Sequence, residues 1–171
     1  MTQLPEMVSY FNEQIGISIL LPEQWNVQVI EQFQFRIFGL PEPGFEEHFE
    51  EYRSTMSYLL TEPENHASGW FEGLITESSQ EMLQDYNEYQ LISEAHCKIS
   101  TQTAYVRNYE WTEENTGLQI LQLQSLIYNN SSSFYLINAA ILKPLEDKYM
   151  PIFNAILEST RIIPMGSSFL N

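Results

Sequence analysis

Apolar residues run almost unbroken from Phe134 to Leu142, with only Asn138 interrupting them, and such a run suits a strand covered on both faces. After it the pattern changes period. Tyr149, Ile152, Phe153, Ile156, Leu157 and Thr160 recur at helical spacing, with Glu146, Asp147, Asn154 and Glu158 off that stripe. Proline is tolerated only near a helix start, so Pro144 and Pro151 place the start between Glu146 and Pro151. A central strand followed by a helix that packs back on the sheet is the nucleus this pattern predicts.

Upstream, Val8–Phe11 reads as a short edge strand and Ile17–Leu21 as a strand that Pro22 stops. Trp25–Ile30 and Phe33–Phe38 alternate and predict half-buried strands. GLPEPGFEEHFEEYR, from Gly39 to Arg53, reads as a loop, and Ser54–Leu60 as the next strand. Ser68 is the expected N-cap of a helix of about 18 residues with Trp70, Phe71, Leu74, Ile75, Ser78, Met82, Leu83 and Tyr86 on one stripe. Three longer strands follow, Tyr89–Ser100, Thr103–Thr112 and Leu118–Tyr128, the last two joined by a hairpin loop over Glu113–Gly117. Hairpin-linked strands imply a mostly antiparallel sheet of about six to seven strands, and the two helices imply amphipathic cover on it, so the class is α+β. One domain over residues 1–164 with a tail at 165–171 is expected.

Composition narrows the roles. The 171 residues are 43% hydrophobic and 13% aromatic, enough for a packed core. Seven Lys and Arg against 23 Asp and Glu give a net charge of −16, which repels phosphate backbones and anionic lipid surfaces. Nucleic acid is therefore not an expected partner. Apolar runs fall well short of the ~20 residues a membrane span needs, so no membrane insertion is expected. The opening MTQLPEMVSYFNEQ shows no basic segment followed by an apolar one, and Cys97 is the single cysteine, so the expected location is the cytoplasm.

Candidate chemistry is sparse. Cys97 beside His96 suggests a thiolate–imidazole pair, but neighbours in a strand point to opposite faces, and Cys97 falls in register with Leu91, Ala95 and Ile99. An inert core cysteine is the expectation. His48, His66 and His96 lie in separate segments without metal-ligand spacing; His48 among Glu46, Glu47, Glu50 and Glu51 could offer at most a weak divalent site. No phosphate-binding loop or nucleophile elbow occurs, so no catalytic, cofactor or metal residue is assigned.

The hairpin carries the most suggestive surface. With Thr112 opposite Gly117, one face collects Tyr105, Arg107, Tyr109 and Trp111 with Leu118, Ile120, Gln122 and Gln124. The other face collects Ala104, Val106, Leu121, Leu123 and Ile127, a core mixture. Aromatic residues with an arginine are what binding hot spots favour, so Tyr105, Arg107, Tyr109, Trp111, Gln122 and Gln124 are the candidate partner-binding residues. The alternative is a helix lying over this face with Arg107 paired to a glutamate.

IGISILLPEQW, from Ile15 to Trp25, resembles the Gly-strand-Pro-x-x-Trp opening of the PsbP-like superfamily, which also takes in DcrB-like bacterial proteins and the Ran-binding Mog proteins. YMPIFNAILESTRI, from Tyr149 to Ile162, resembles the ending of the same group, and the middle has the matching order. The resemblance implies a bacterial member of cyanobacterial type, with a curved antiparallel sheet between helices in an α/β/α sandwich. It also implies a binding role such as an accessory subunit, a GTPase-binding factor or a chaperone, and it carries over no catalytic residue. The expected function is a non-enzymatic, accessory or chaperone-like factor presenting a sheet face to another protein or peptide. The alternatives are a small metal-dependent hydrolase using His48 or His66, and a homodimer or larger homo-oligomer that buries the aromatic face against its own copy.

Overall fold

A computed structural model of the chain describes residues 3–164; the expected tail at 165–171 lies outside the described residues. The elements in order are β1 (Met7–Asn12), β2 (Ile17–Pro22), β3 (Asn26–Glu31), β4 (Gln34–Phe38), β5 (Thr55–Thr61), α1 (Trp70–Asp85), β6 (Gln90–Ile99), β7 (Gln102–Thr112), β8 (Gln119–Asn130), β9 (Ser133–Leu142), α2 (Glu146–Ser159) and β10 (Arg161–Ile162). Seven strands form an antiparallel sheet in the order β3-β4-β5-β9-β8-β7-β6, and β1-β2-β10 form a second, three-stranded sheet. The class is α+β. The apolar run lies where its composition demands, because β9 is the middle strand of the seven.

Residues directly opposite across a ladder share a face, so the register divides the core in two. One face presents Phe35, Ile37, Met56, Tyr58, Leu123, Ile127, Tyr135, Ile137 and Ala139, all at most 1% exposed. Upon it lie the small sheet, through Ile15, Ile17, Ile19 and Leu21, and α2, through Tyr149, Ile152, Phe153, Ile156 and Leu157. Polar side chains tie the layers: Tyr135 OH donates to the Ile15 carbonyl at 2.5 Å, and Tyr58 and Thr160 hydroxyls meet at 2.8 Å. The opposite face receives α1, whose Phe71 and Ile75 pack on Tyr105, Leu126 and Phe134.

The two stretches that carry the family resemblance meet in space. Trp25 packs against Tyr149 and Phe153 at ring distances of 5.8 and 5.5 Å, and Ser159 Oγ accepts the Leu20 N–H at 2.8 Å.

Several expectations need correction. The N-cap of α1 is Gly69, not Ser68; with φ 78° it is left-handed and supplies no side-chain cap, a conformation in which serine would be strained. The start of α2 at Glu146 falls within the expected bounds, after a 3-10 turn over Lys143–Leu145, and leaves Pro151 in the second turn of the helix. The carbonyl it leaves unpaired belongs to Asp147, an exposed residue that water reaches. β3 is not half-buried: Val29 and Ile30 are exposed, because this strand forms one margin of the main sheet. Across the β7–β8 hairpin, Thr112 faces Gln119 rather than Gly117. That slip of two residues leaves every side chain on its expected face.

Candidate functional site

A line of polar residues crosses the whole main sheet on the α1 face. Gln28 pairs with Arg36, Arg36 with Ser57, Ser57 with Asn138, Asn138 with Gln124, Gln124 with Arg107, and Arg107 with Glu94. Opposed Cβ atoms stand about 5 Å apart across a ladder, so these side chains are neighbours. The line divides into a covered half on β8, β7 and β6 and an uncovered half on β9, β5, β4 and β3.

In the covered half α1 is fixed at three points. Near its N-terminus Trp70 packs on Tyr128 and Phe134 at 5.7 and 5.8 Å, and its indole N–H donates to the Ser131 carbonyl at 3.1 Å. Just past its C-terminus Tyr86 packs on Trp111 at 4.8 Å and on Tyr109 at 5.8 Å. At the middle is Arg107, only 1% exposed. Its Nε donates to Gln124 Oε1 at 2.8 Å, and its Nη2 to the same oxygen at 2.5 Å and to Ser78 Oγ at 2.8 Å. Its Nη1 donates to Ser79 Oγ at 2.8 Å, and its guanidinium carbon lies 5.3 Å from the Tyr105 ring centre. Gln124 then passes the network on, its Nε2 donating to Asn138 Oδ1 at 3.0 Å. Glu94, directly opposite Arg107, instead accepts from the Tyr105 hydroxyl.

This arrangement decides between the two readings of the hairpin face. A helix covers it, so neither an open groove nor burial against a second copy describes this face. The glutamate expected beside Arg107 is replaced by two helix serines and a glutamine. Of the six candidate residues, Tyr105, Arg107, Tyr109 and Gln124 are buried, while Trp111 and Gln122 are half-buried beside the α1 C-terminus. Trp111 Nε1 donates to Gln122 Oε1 at 2.6 Å. Burial pushes the Tyr109 phenol up, with Tyr86 adding to it, and burial and the bond to Glu94 push up Tyr105.

In the uncovered half, Gln28 is exposed and Arg36, Ser57 and Asn138 are half-buried, and among the described residues the apolar cluster under α1 reaches only to Phe134 and Leu136 on β9. Phe38, Thr55 and Ala140 form the next row on one side and Gln34, Leu59 and Leu136 the row on the other. Arg36 has no hydrogen-bond or ion-pair partner among the described residues. Reading the sequence for aromatic clusters missed Arg36 and Ser57. The signal was their alternation with the buried Phe35, Ile37, Met56 and Tyr58.

Cys97 is exposed rather than in the core, because β6 is the opposite margin of the sheet and only Ile99 of that strand is buried. Desolvation still pushes its thiol up, away from the nucleophilic thiolate. The His96 ring lies 5.2 Å from Tyr105, on the face opposite Cys97. His48 sits in the 39–53 loop, where the Glu46 carboxylate turns back to accept the Gly44 N–H at 3.0 Å. Among the described residues no group of three or more His, Cys, Asp or Glu is placed to hold a metal ion. The same loop carries Glu42, which accepts from Lys148 and from the Tyr149 hydroxyl beside a cleft of about 410 Å³ lined by Pro22, Trp25, Leu40 and Ile152.

A seven-stranded antiparallel sheet with a helix on each face and a small accessory sheet is the architecture of the PsbP/Mog1 fold group, and solved structures of that group are what this chain resembles. LpqN of Mycobacterium tuberculosis, described as involved in cell envelope biogenesis, matches with a TM-score of 0.62 at 14% identity, over 93% of this chain and 91% of its own. Cyanobacterial PsbP from Synechocystis matches with a TM-score of 0.59 at 13% identity, over 94% of each chain. The Ran-binding protein Mog1p of Saccharomyces cerevisiae matches with a TM-score of 0.57 at 10% identity, over 93% of this chain and 96% of its own. The resemblance read from Ile15–Trp25 and Tyr149–Ile162 is borne out in the fold. No family model matches the sequence, and no curated protein matches it.

Proposed function

We propose that this chain is a non-enzymatic accessory protein that binds another protein through the uncovered half of its main sheet, centred on Arg36. The observation that carries this reading is Arg36 itself. A chain with 23 carboxylates against seven Lys and Arg leaves this half-buried guanidinium without a partner among the described residues. Arginine with flanking aromatic and amide groups is the residue mixture that interfaces favour. Phe38 and Leu59 supply apolar area beside it, Ser57 and Asn138 supply hydrogen bonds, and a curved sheet would make the face a trough. Trp111 and Gln122, the candidate residues that α1 leaves half-buried, border it, since Gln122 lies opposite Ala140. That Mog1p, of the same fold, is a Ran-binding protein agrees with a binding role.

The test compares three versions of the chain in affinity capture from the native host's lysate. Arg36→Glu combined with Asn138→Ala should lose the co-eluting protein that the unaltered chain retains. Glu77→Lys, on the exposed side of α1, should keep it, and melting temperatures should stay within a few degrees. Retention by the Arg36→Glu, Asn138→Ala variant sinks the proposal.

A further inference from the structure

The two margins of the main sheet are built differently. β3 is six residues long and its register breaks between Val29 and Glu31. β6 is ten residues long, and its one irregularity lies near its start, between Leu91 and Ser93, leaving Ser93–Ile99 regular. Nine of its ten residues are exposed, it holds no proline, and one of its two edges pairs with β7 while the other faces solvent. A long, regular, unpaired edge is a template for another strand, and charged side chains on it, here Glu94 and Lys98, exclude partners that do not match them.

We infer that β6 pairs with β6 of a second copy, antiparallel about a two-fold axis at His96, so that two main sheets become one. Two independent features select that register. An antiparallel pair related by a two-fold axis must centre on a residue, and pairing the whole regular stretch Ser93–Ile99 with itself centres it on His96. Charge gives the same answer. Glu94, His96 and Lys98 share one face, opposite Arg107, Tyr105 and Thr103 on β7. Centring on His96 sets Glu94 opposite Lys98 of the other copy, twice. Centring on Ala95 instead sets Lys98 against Ile92, and centring on Cys97 sets it against His96. Lys98 has no ion-pair partner among the described residues, so it is free to take this role.

Charge reversal with rescue tests the pairing. Sedimentation equilibrium of the full chain at physiological salt should show a reversible dimer. Glu94→Lys and Lys98→Glu should each weaken it roughly tenfold, because each turns two attractive cross-strand pairs into repulsive ones. The double variant should return affinity to near that of the unaltered chain. Lys98→Glu breaks no bond within one copy, so its effect cannot be a folding defect. A nitroxide on Cys97 reads the location, since the proposed register brings the two labelled Cα atoms within about 8 Å, close enough for strong dipolar broadening. A monomer at all concentrations, a dimer indifferent to the single reversals, a double variant that does not recover, or labels without broadening would each overturn the proposal.

Discussion

Arg107 holds a positive charge at 1% exposure with no carboxylate among its hydrogen-bond partners. Its charge is spread over Gln124, Ser78, Ser79 and the Tyr105 ring instead, a set of dipoles that keeps the guanidinium fixed. Replacing it by methionine fills much of the volume but strands Gln124 Oε1 and unpairs the helix from the sheet. Arg107→Met should cost about 3 kcal/mol and lower the melting temperature by roughly 10 °C, measured by calorimetry. A loss under 1 kcal/mol would mean that α1 is held by its aromatic ends alone. Replacing Arg107 and Trp111 together, which an open face would tolerate, should destabilise further. Alternation alone revealed that Arg107, Gln124 and their neighbours share a face. A helix over them was one of the two readings, but its contacts were not legible, because Ser78 and Ser79 look like any polar positions on a helix and Arg107 has no charged partner to betray the contact.

At the scale of elements, β9 and the hairpin faces were readable because a nine-residue apolar run and a strict two-residue period each have few structural solutions. Cys97 was misread for the complementary reason. Alternation assigns a side chain to a face, but it does not tell whether anything covers that face, and at the sheet margin nothing covers β6. The turn between β6 and β7 shows a strain that sequence also concealed. Ser100 and Thr101 both have positive φ, 51° and 67°, in a two-residue connection of the kind that favours Asn-Gly. Ser100 has a reason to remain, since its Oγ accepts the Ile162 N–H at 2.8 Å and ties the hairpin to β10. Thr101 is exposed and β-branched in a conformation that suits neither property. Thr101→Gly should therefore stabilise by about 1 kcal/mol, a rise of roughly 2–4 °C in melting temperature. An unchanged or lower melting temperature would show that the turn carries no such strain.

For the molecule as a whole, one of the 23 carboxylates, Glu42, joins the 39–53 loop to α2. Burial alone would raise its pKa; the bonds from Lys148 and Tyr149 outweigh that and hold it below the ordinary carboxylate value. A depressed folded-state pKa means the contribution is present above the unfolded value of about 4.3 and is lost as pH falls through the folded one. Glu42→Gln should melt lower than the unaltered chain at pH 7, and the gap should close as pH falls from about 5 to about 3. A gap independent of pH would assign the effect to packing. The strand order has a consequence for how the chain is made. β5 pairs with β4 along one edge, but its other edge finds a partner only in β9, which lies more than 70 residues later in the chain. On the ribosome, the β3–β5 hairpins must therefore wait, with one edge of β5 unpaired, until β9 has emerged and closes the seam. Synthesis, more than finished stability, is where this topology is most exposed to error, and a chaperone or a slow codon run ahead of β9 would act at that interval.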